Sequence, residues 1–164
     1  MAIPQTSSGK RFYIPIGWLD ASVIPGDALR VIPDATLYDF GVLTSRVHMG
    51  WMRRVCGRFG MGYRYTNTVV YNTFPWPSPT PKQRAKIEAC AQKILDARAK
   101  NPESSFAALY NDNIMPPELR KAHEANDAAV CEAYGWKHDI DEFELVSILF
   151  EKYQALKDEL NAKK

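Results

Sequence analysis

The sequence predicts an α+β fold: a small mixed α/β segment to about residue 76, then an α-helical bundle. Three observations carry this reading. Four prolines (Pro75, Pro77, Pro79 and Pro81) fall within seven residues, which forbids helix interior and central strand and marks 77–81 as an extended connector. Before it, short apolar runs are separated by Pro/Gly turn signals. After it, apolar residues recur at helical spacing to Leu160.

In order, residues 11–16 and 28–32 read as short strands, with Pro25-Gly26-Asp27 as a turn between them. Residues 37–43 suit a short helix. Thr44 or Ser45 caps a second, with Val47, Trp51 and Val55 on one face, Arg46, Arg53 and Arg54 largely on the other, and Gly57 as its stop. Residues 59–65 form a loop or hairpin tip, and the β-branched run 68–71 reads as a strand. Thr80-Pro81-Lys82-Gln83 is a helix start with capping residue, N1 proline and Gln at N3, and that helix ends near Asn101-Pro102. Ser104 or Ser105 caps a short helix over 106–110. Pro116-Pro117 opens a longer one that stops at Gly135, with Leu119, Ala122, Ala129, Val130 and Ala133 inward. Asp139 or Asp141 opens the last, with Phe143, Ile148, Leu149, Tyr153, Leu156 and Leu160 inward. The domain assignment is 1–76, connector 77–81, and helical domain 82–164.

The 164 residues supply a core for one domain or two small ones, and net charge is only +2. No apolar stretch approaches the ~20 residues of a membrane span, and no basic head precedes an apolar run at the N-terminus, so neither a membrane partner nor a secretory signal is expected. Cys56, Cys90 and Cys131 are odd in number and far apart, which reads as reduced thiols of a cytoplasmic protein. No metal ligand set is expected.

Charge is unevenly placed. Residues 1–76 carry eight Lys or Arg against four acids, and no Asp or Glu occurs between Phe40 and Ile87. Arginines interleaved with Tyr and Trp, with no neighbouring carboxylate, suit a surface that faces phosphates. The alternative is a protein-interaction module that docks an acidic partner. GxGxxG, P-loop, HExxH, GxSxG and paired-carboxylate motifs are absent, so no catalytic and no cofactor-binding residue is assigned. Gly60-Met61-Gly62 follows a helix rather than a strand and reads as a turn. His48 reads as a packed histidine, and His123 with Asp127 as a helix-surface pair.

The run from Thr36 to Arg58, the phrases Tyr63-Arg64-Tyr65 and Val70-Tyr71-Asn72-Thr73-Phe74-Pro75-Trp76-Pro77, and downstream Met115-Pro116-Pro117-Glu118-Leu119 and Lys121-Ala122-His123 are long and ungapped. They resemble the target-recognition region and C-terminal helical segment of MmeI-like (type IIG/IIL) restriction-modification enzymes. The resemblance implies a DNA sequence-recognition module of an adenine-N6 methyltransferase that uses S-adenosylmethionine. Its partners are double-stranded DNA and the methyltransferase domain of the same polypeptide, and residues 1–76 are the C-terminal part of the recognition domain. This chain shows neither an Asn-Pro-Pro-Tyr motif nor an adenosylmethionine loop, so the resemblance implies no enzyme activity and no cofactor for the chain alone.

From composition, DNA contact is expected through Arg46, Arg53, Arg54, Arg58, Tyr63, Arg64 and Tyr65. Some of these arginines are structural, since one helix cannot turn all of them to the same groove. The family resemblance adds where bases are read: near Asp27 and Ala28 and along Gly60, Met61, Gly62 and Arg64. Charged residues commonly occupy the two variable positions before Tyr63; here both are glycine. That base pair is read loosely, read by backbone, Met61 or water, or no longer read stringently. Arg64 has the fork that suits guanine O6 and N7; the alternative is an arginine stacked between Tyr63 and Tyr65.

Overall fold

The structure, a computed structural model, describes residues 1–162. In chain order it contains strands β1 (Ala2–Pro4), β2 (Thr6–Ser7) and β3 (Leu29–Val31), then helices α1 (Leu37–Leu43) and α2 (Arg46–Val55). Strands β4 (Gly57–Phe59) and β5 (Gly62–Arg64) and a π-helical turn at Asn67–Tyr71 follow. Four helices complete it: α3 (Pro81–Ala99), α4 (Phe106–Leu109), α5 (Pro117–Ala133) and α6 (Glu142–Ala162). The fold is α+β, with the small sheets confined to the first part.

As expected, Ser45 caps α2, and Thr80 with Gln83 boxes α3 with Pro81 in its first turn. Thr36 and Asp39 add a reciprocal capping box on α1, beyond the caps expected. Gly41 lets α1 cross α3 closely: a Cβ there would lie 2.6 Å from Ile87 Cγ2, and its carbonyl accepts from Asn126 Nδ2 at 2.7 Å. Buried apolar residues from both sides of the connector, among them Ile3, Phe40, Trp51, Ile87, Leu119 and Leu149, form one continuous core.

Three expectations are corrected. Residues 11–16 form no named strand. Phe12 N–H donates to Asp112 Oδ2 at 3.0 Å and Pro15 interrupts the run, so β3 pairs with β1 instead. Residues 68–71 lie in the π-helical turn, whose wide winding leaves the Val70 carbonyl to accept from Trp51 Nε1 at 3.2 Å. In α6 the inward residues are Leu145, Val146 and Leu149, while Phe143 is 71% exposed and Leu156 and Leu160 are exposed too. The helix packs beside Gly50 through Leu145 and Val146, which turns Phe143 outward.

Candidate nucleic-acid interface

Two short antiparallel sheets build the site. One pairs β1 with β3; the other has the order β2-β5-β4. Because β1 and β2 are separated only by Gln5, that residue joins them. Its N–H donates to the Ala28 carbonyl at 2.8 Å, and its carbonyl accepts from Tyr65 N–H at 2.7 Å. With the amide oriented to satisfy its neighbours, Gln5 Nε2 donates to the Asp27 carbonyl at 3.0 Å and Oε1 accepts from Arg30 at 2.6 Å. The two segments expected to read bases, Asp27-Ala28 and residues 60–64, are thereby brought to one place.

The β4–β5 hairpin closes at Phe59 paired with Gly62, leaving the two-residue loop Gly60-Met61. Gly60 has φ +56°, the left-handed backbone glycine accepts without cost, as a tight hairpin turn demands at its first loop position. Gly62 is required for a second reason: a Cβ on it would sit 2.6 Å from the Ser7 carbonyl of β2. Gly9 likewise lies against the Met61 carbonyl, where a Cβ on it would collide, and Tyr63 Oη donates to the Gly9 carbonyl at 3.2 Å. Residues 7–9 thus brace the tip from one side.

Register decides where each side chain points. Ser7, Tyr63 and Arg58 are cross-strand partners, as are Thr6, Arg64 and Gly57. Directly opposed residues share a face and successive residues alternate. Tyr63 and Tyr65 therefore face the core, with Arg58 at the rim of that face, its guanidinium 4.6 Å from the Tyr63 ring centroid. Arg64 stands on the outer face with Phe59 and is exposed, so it is not stacked between the two tyrosines.

The expected arginines divide sharply. Arg54, Arg58 and Arg64 are exposed and make no ion pair among the described residues. Arg46 is committed to the fold: it donates to the carbonyls of His138 and Ile140 at 3.0 and 2.9 Å. Arg53 pairs with Glu142 at 2.5 Å, donates to the Phe12 carbonyl at 2.8 Å and lies over the Phe12 ring. Among the arginines of α2, Arg46 and Arg53 are thus the ones engaged within the fold, through the carbonyls of His138, Ile140 and Phe12 and the Glu142 carboxylate. Tyr65 is engaged there as well. It is 1% exposed, and its phenol bonds to His48 Nε2 at 3.1 Å.

Burial without a charged partner holds the His48 imidazole neutral, with its pKa lowered to about 3. His123 and Asp127 are buried too, and so do not form the helix-surface pair expected. His123 stacks on Tyr13, 4.2 Å between centroids, and bonds to Tyr110 Oη at 2.9 Å. Burial, aided by Arg98 and Arg120, lowers its pKa to about 3. Asp127 accepts from Tyr13 Oη at 2.5 Å and from Arg46 N–H at 2.7 Å, and desolvation outweighs those bonds to raise its pKa to about 7. His48 Nδ1 and His123 Nδ1 are buried without a hydrogen-bond partner, so each imidazole is held through one nitrogen only. Gln5, Gly9 and Arg30 escape sequence reasoning, because pairing between segments more than twenty residues apart leaves no local signal.

Residues 79–161 match the family model described as MmeI, C-terminal domain, and residues 1–78 match that described as MmeI, target recognition domain. The chain belongs to the MmeI family. It is 39% identical over 156 residues to DNA methyltransferase A of Bacillus subtilis (strain 168), covering 95% of this chain and 18% of that protein. A solved structure of the type IIL restriction-modification enzyme MmeI in complex with DNA superposes with a TM-score of 0.93 at 46% identity, covering 96% of this chain and 21% of that one. The chain thus spans about a fifth of the length of these MmeI-family relatives. No described helix is long and apolar enough to cross a membrane, and no described group of three or more His, Cys, Asp or Glu could hold a metal ion.

The chain's GxG, Gly60-Met61-Gly62, forms a hairpin turn with Met61 projecting outward, not a strand-to-helix loop with its N–H groups converged on a ligand.

Proposed function

We propose that this chain is the DNA sequence-reading module of a longer restriction-modification polypeptide, whose catalytic part methylates adenine N6 with S-adenosylmethionine. The chain itself carries no reaction. It positions duplex DNA, in the cell interior, for the methyltransferase domain joined to it. Residues 1–76 are the reading segment, 77–81 the connector and 82–164 the helical support. The observation that carries this reading is the single exposed edge on which Gln5 holds Asp27-Ala28 beside the Arg58–Arg64 hairpin, in a chain matched to a target recognition domain.

Mechanistically, Arg54 and Arg58 neutralise phosphates and fix register, while Arg64 and the two loops approach base edges in a groove. Arg46 and Arg53 fasten α2 to residues 138–142 and Phe12, and Tyr65 is held beneath the hairpin by His48.

The test maps methylated adenines made by the polypeptide that carries this chain, wild type against Arg64→Ala. A motif relaxed at one position supports the reading. An unchanged motif and unchanged rate overturn it, and salt-sensitive binding to an acidic protein but not to duplex DNA would put the interaction-module alternative in its place.

A further inference from the structure

Phe59 and Met61 are exposed to 71% and 93%, and together they make the hairpin tip apolar. A tip that served only as a turn gains nothing from two large apolar side chains in water, where polar residues serve better. The tip is also held firmly. Gly9 packs on the Met61 carbonyl, Gly62 packs on the Ser7 carbonyl, and Tyr63 is tied to Gly9. Phe59 shares the outer face with Arg64, and Arg58 lies one residue away; neither arginine is paired with a carboxylate among the described residues. An apolar point flanked by free guanidinium groups is complementary to a groove whose walls are phosphate and whose floor offers an apolar group.

Gly60 and Gly62 cannot supply hydrogen bonds from side chains, and both are held as glycine by backbone geometry. The chemistry that the tip's side chains offer is therefore dispersion and burial. In the major groove the apolar base-edge group is the 5-methyl of a pyrimidine, carried by thymine and by 5-methylcytosine. Met61, unbranched and polarisable, adapts to such a contact.

Resting on the DNA-reading function above, we propose that Met61, backed by Phe59, determines specificity at one base pair by burying the 5-methyl group of a pyrimidine.

The experiment uses the full polypeptide and its mapped target duplex, with each thymine replaced in turn by deoxyuridine and each cytosine by 5-methylcytosine. The expected result is a fall in kcat/KM of about fourfold at one thymine, the worth of one buried methyl group, and no change at the others. A gain on methylating a cytosine would instead identify 5-methylcytosine as the source of the methyl. Met61→Leu keeps the discrimination and Met61→Ser removes it. Irradiation of a duplex carrying 5-iodouracil at that position should attach DNA to the peptide containing Phe59 and Met61.

Discrimination untouched by Met61→Ser, or adducts on other peptides only, overturns the proposal. A Met61→Ser variant slowed equally on thymine and deoxyuridine duplexes also overturns it, and points to a protein surface as the tip's partner. If Arg64→Ala relaxes the motif while Met61→Ser does not, the reading function stands and this inference falls. If neither moves the motif, both fall.

Discussion

Asp127, on α5, accepts the first backbone N–H of α2, that of Arg46, at 2.7 Å across 81 residues of sequence. A carboxylate at a helix N-terminus meets both the orphan N–H and the positive end of the helix dipole. The helix that leads into the β4–β5 hairpin is thus set by a residue of the helical half.

This arrangement gives a distinctive pH profile. His48 and His123 have folded pKa values of about 3, so the stability they contribute is complete above their ordinary value near 6.5 and is lost as pH falls toward 3. Asp127, raised to about 7, acts oppositely: its contribution is complete below about pH 4 and is lost as pH rises to 7. Between pH 6 and 4.5 these three groups together release about one net proton on folding, so stability should fall by ~1.4 kcal/mol per pH unit on acidification. Asp127→Asn should steepen that dependence toward two protons, measured by urea denaturation at several pH values; an unchanged slope would refute the assignment.

The arginines should separate in two assays. Arg54→Ala, Arg58→Ala and Arg64→Ala should each leave Tm nearly unchanged. Removing a guanidinium that sits on a phosphate should lower the log–log salt slope of duplex binding by about one. Arg53→Ala should cost about 2 kcal/mol of stability by stranding Glu142, and Arg46→Ala should also destabilise by unpairing two carbonyls. Neither should lower the slope.

Much of this division is hidden in the sequence. Helical periodicity places all five arginines off the apolar face of α2 or beyond it, which is where both solvent and a second domain lie. The caps Ser45 and Thr80 are legible because they act within four residues. The pairing of Arg53 with Glu142 and of Gln5 with Ala28 and Tyr65 is not, since each joins residues far apart in the chain. The run 68–71 misleads because β-branched residues favour strands, whereas in the fold it winds as a π-helical turn whose Val70 carbonyl accepts from the distant Trp51.

Glycine replacements should grade by geometry. Gly26→Ala meets open space and should be neutral. Gly60→Ala should cost roughly 1–2 kcal/mol for its left-handed backbone. Gly62→Ala must push β5 from the Ser7 carbonyl and should cost about 1–3 kcal/mol. Thermal denaturation ranks the three; an equal effect at all of them would contradict the bracing of the tip.

Arg98 offers a test of buried charge. It is surrounded by the rings of Phe40, Phe106 and Tyr110 and donates to the Ile16 carbonyl at 2.7 Å and to Tyr110 Oη. A lysine there keeps the charge and loses the planar fork, so Arg98→Lys should destabilise by about 3 kcal/mol, read from urea midpoints. A variant as stable as wild type would show that the rings, not the fork, hold the cation.

Gln5 spends both sides of its peptide on other strands, one on Ala28 and one on Tyr65. Under the proposed function, this makes three pieces of chain one unit for exchange between relatives. A hairpin transplanted without matching residues 5–9 and 27–28 should lose the alignment that Gln5 enforces.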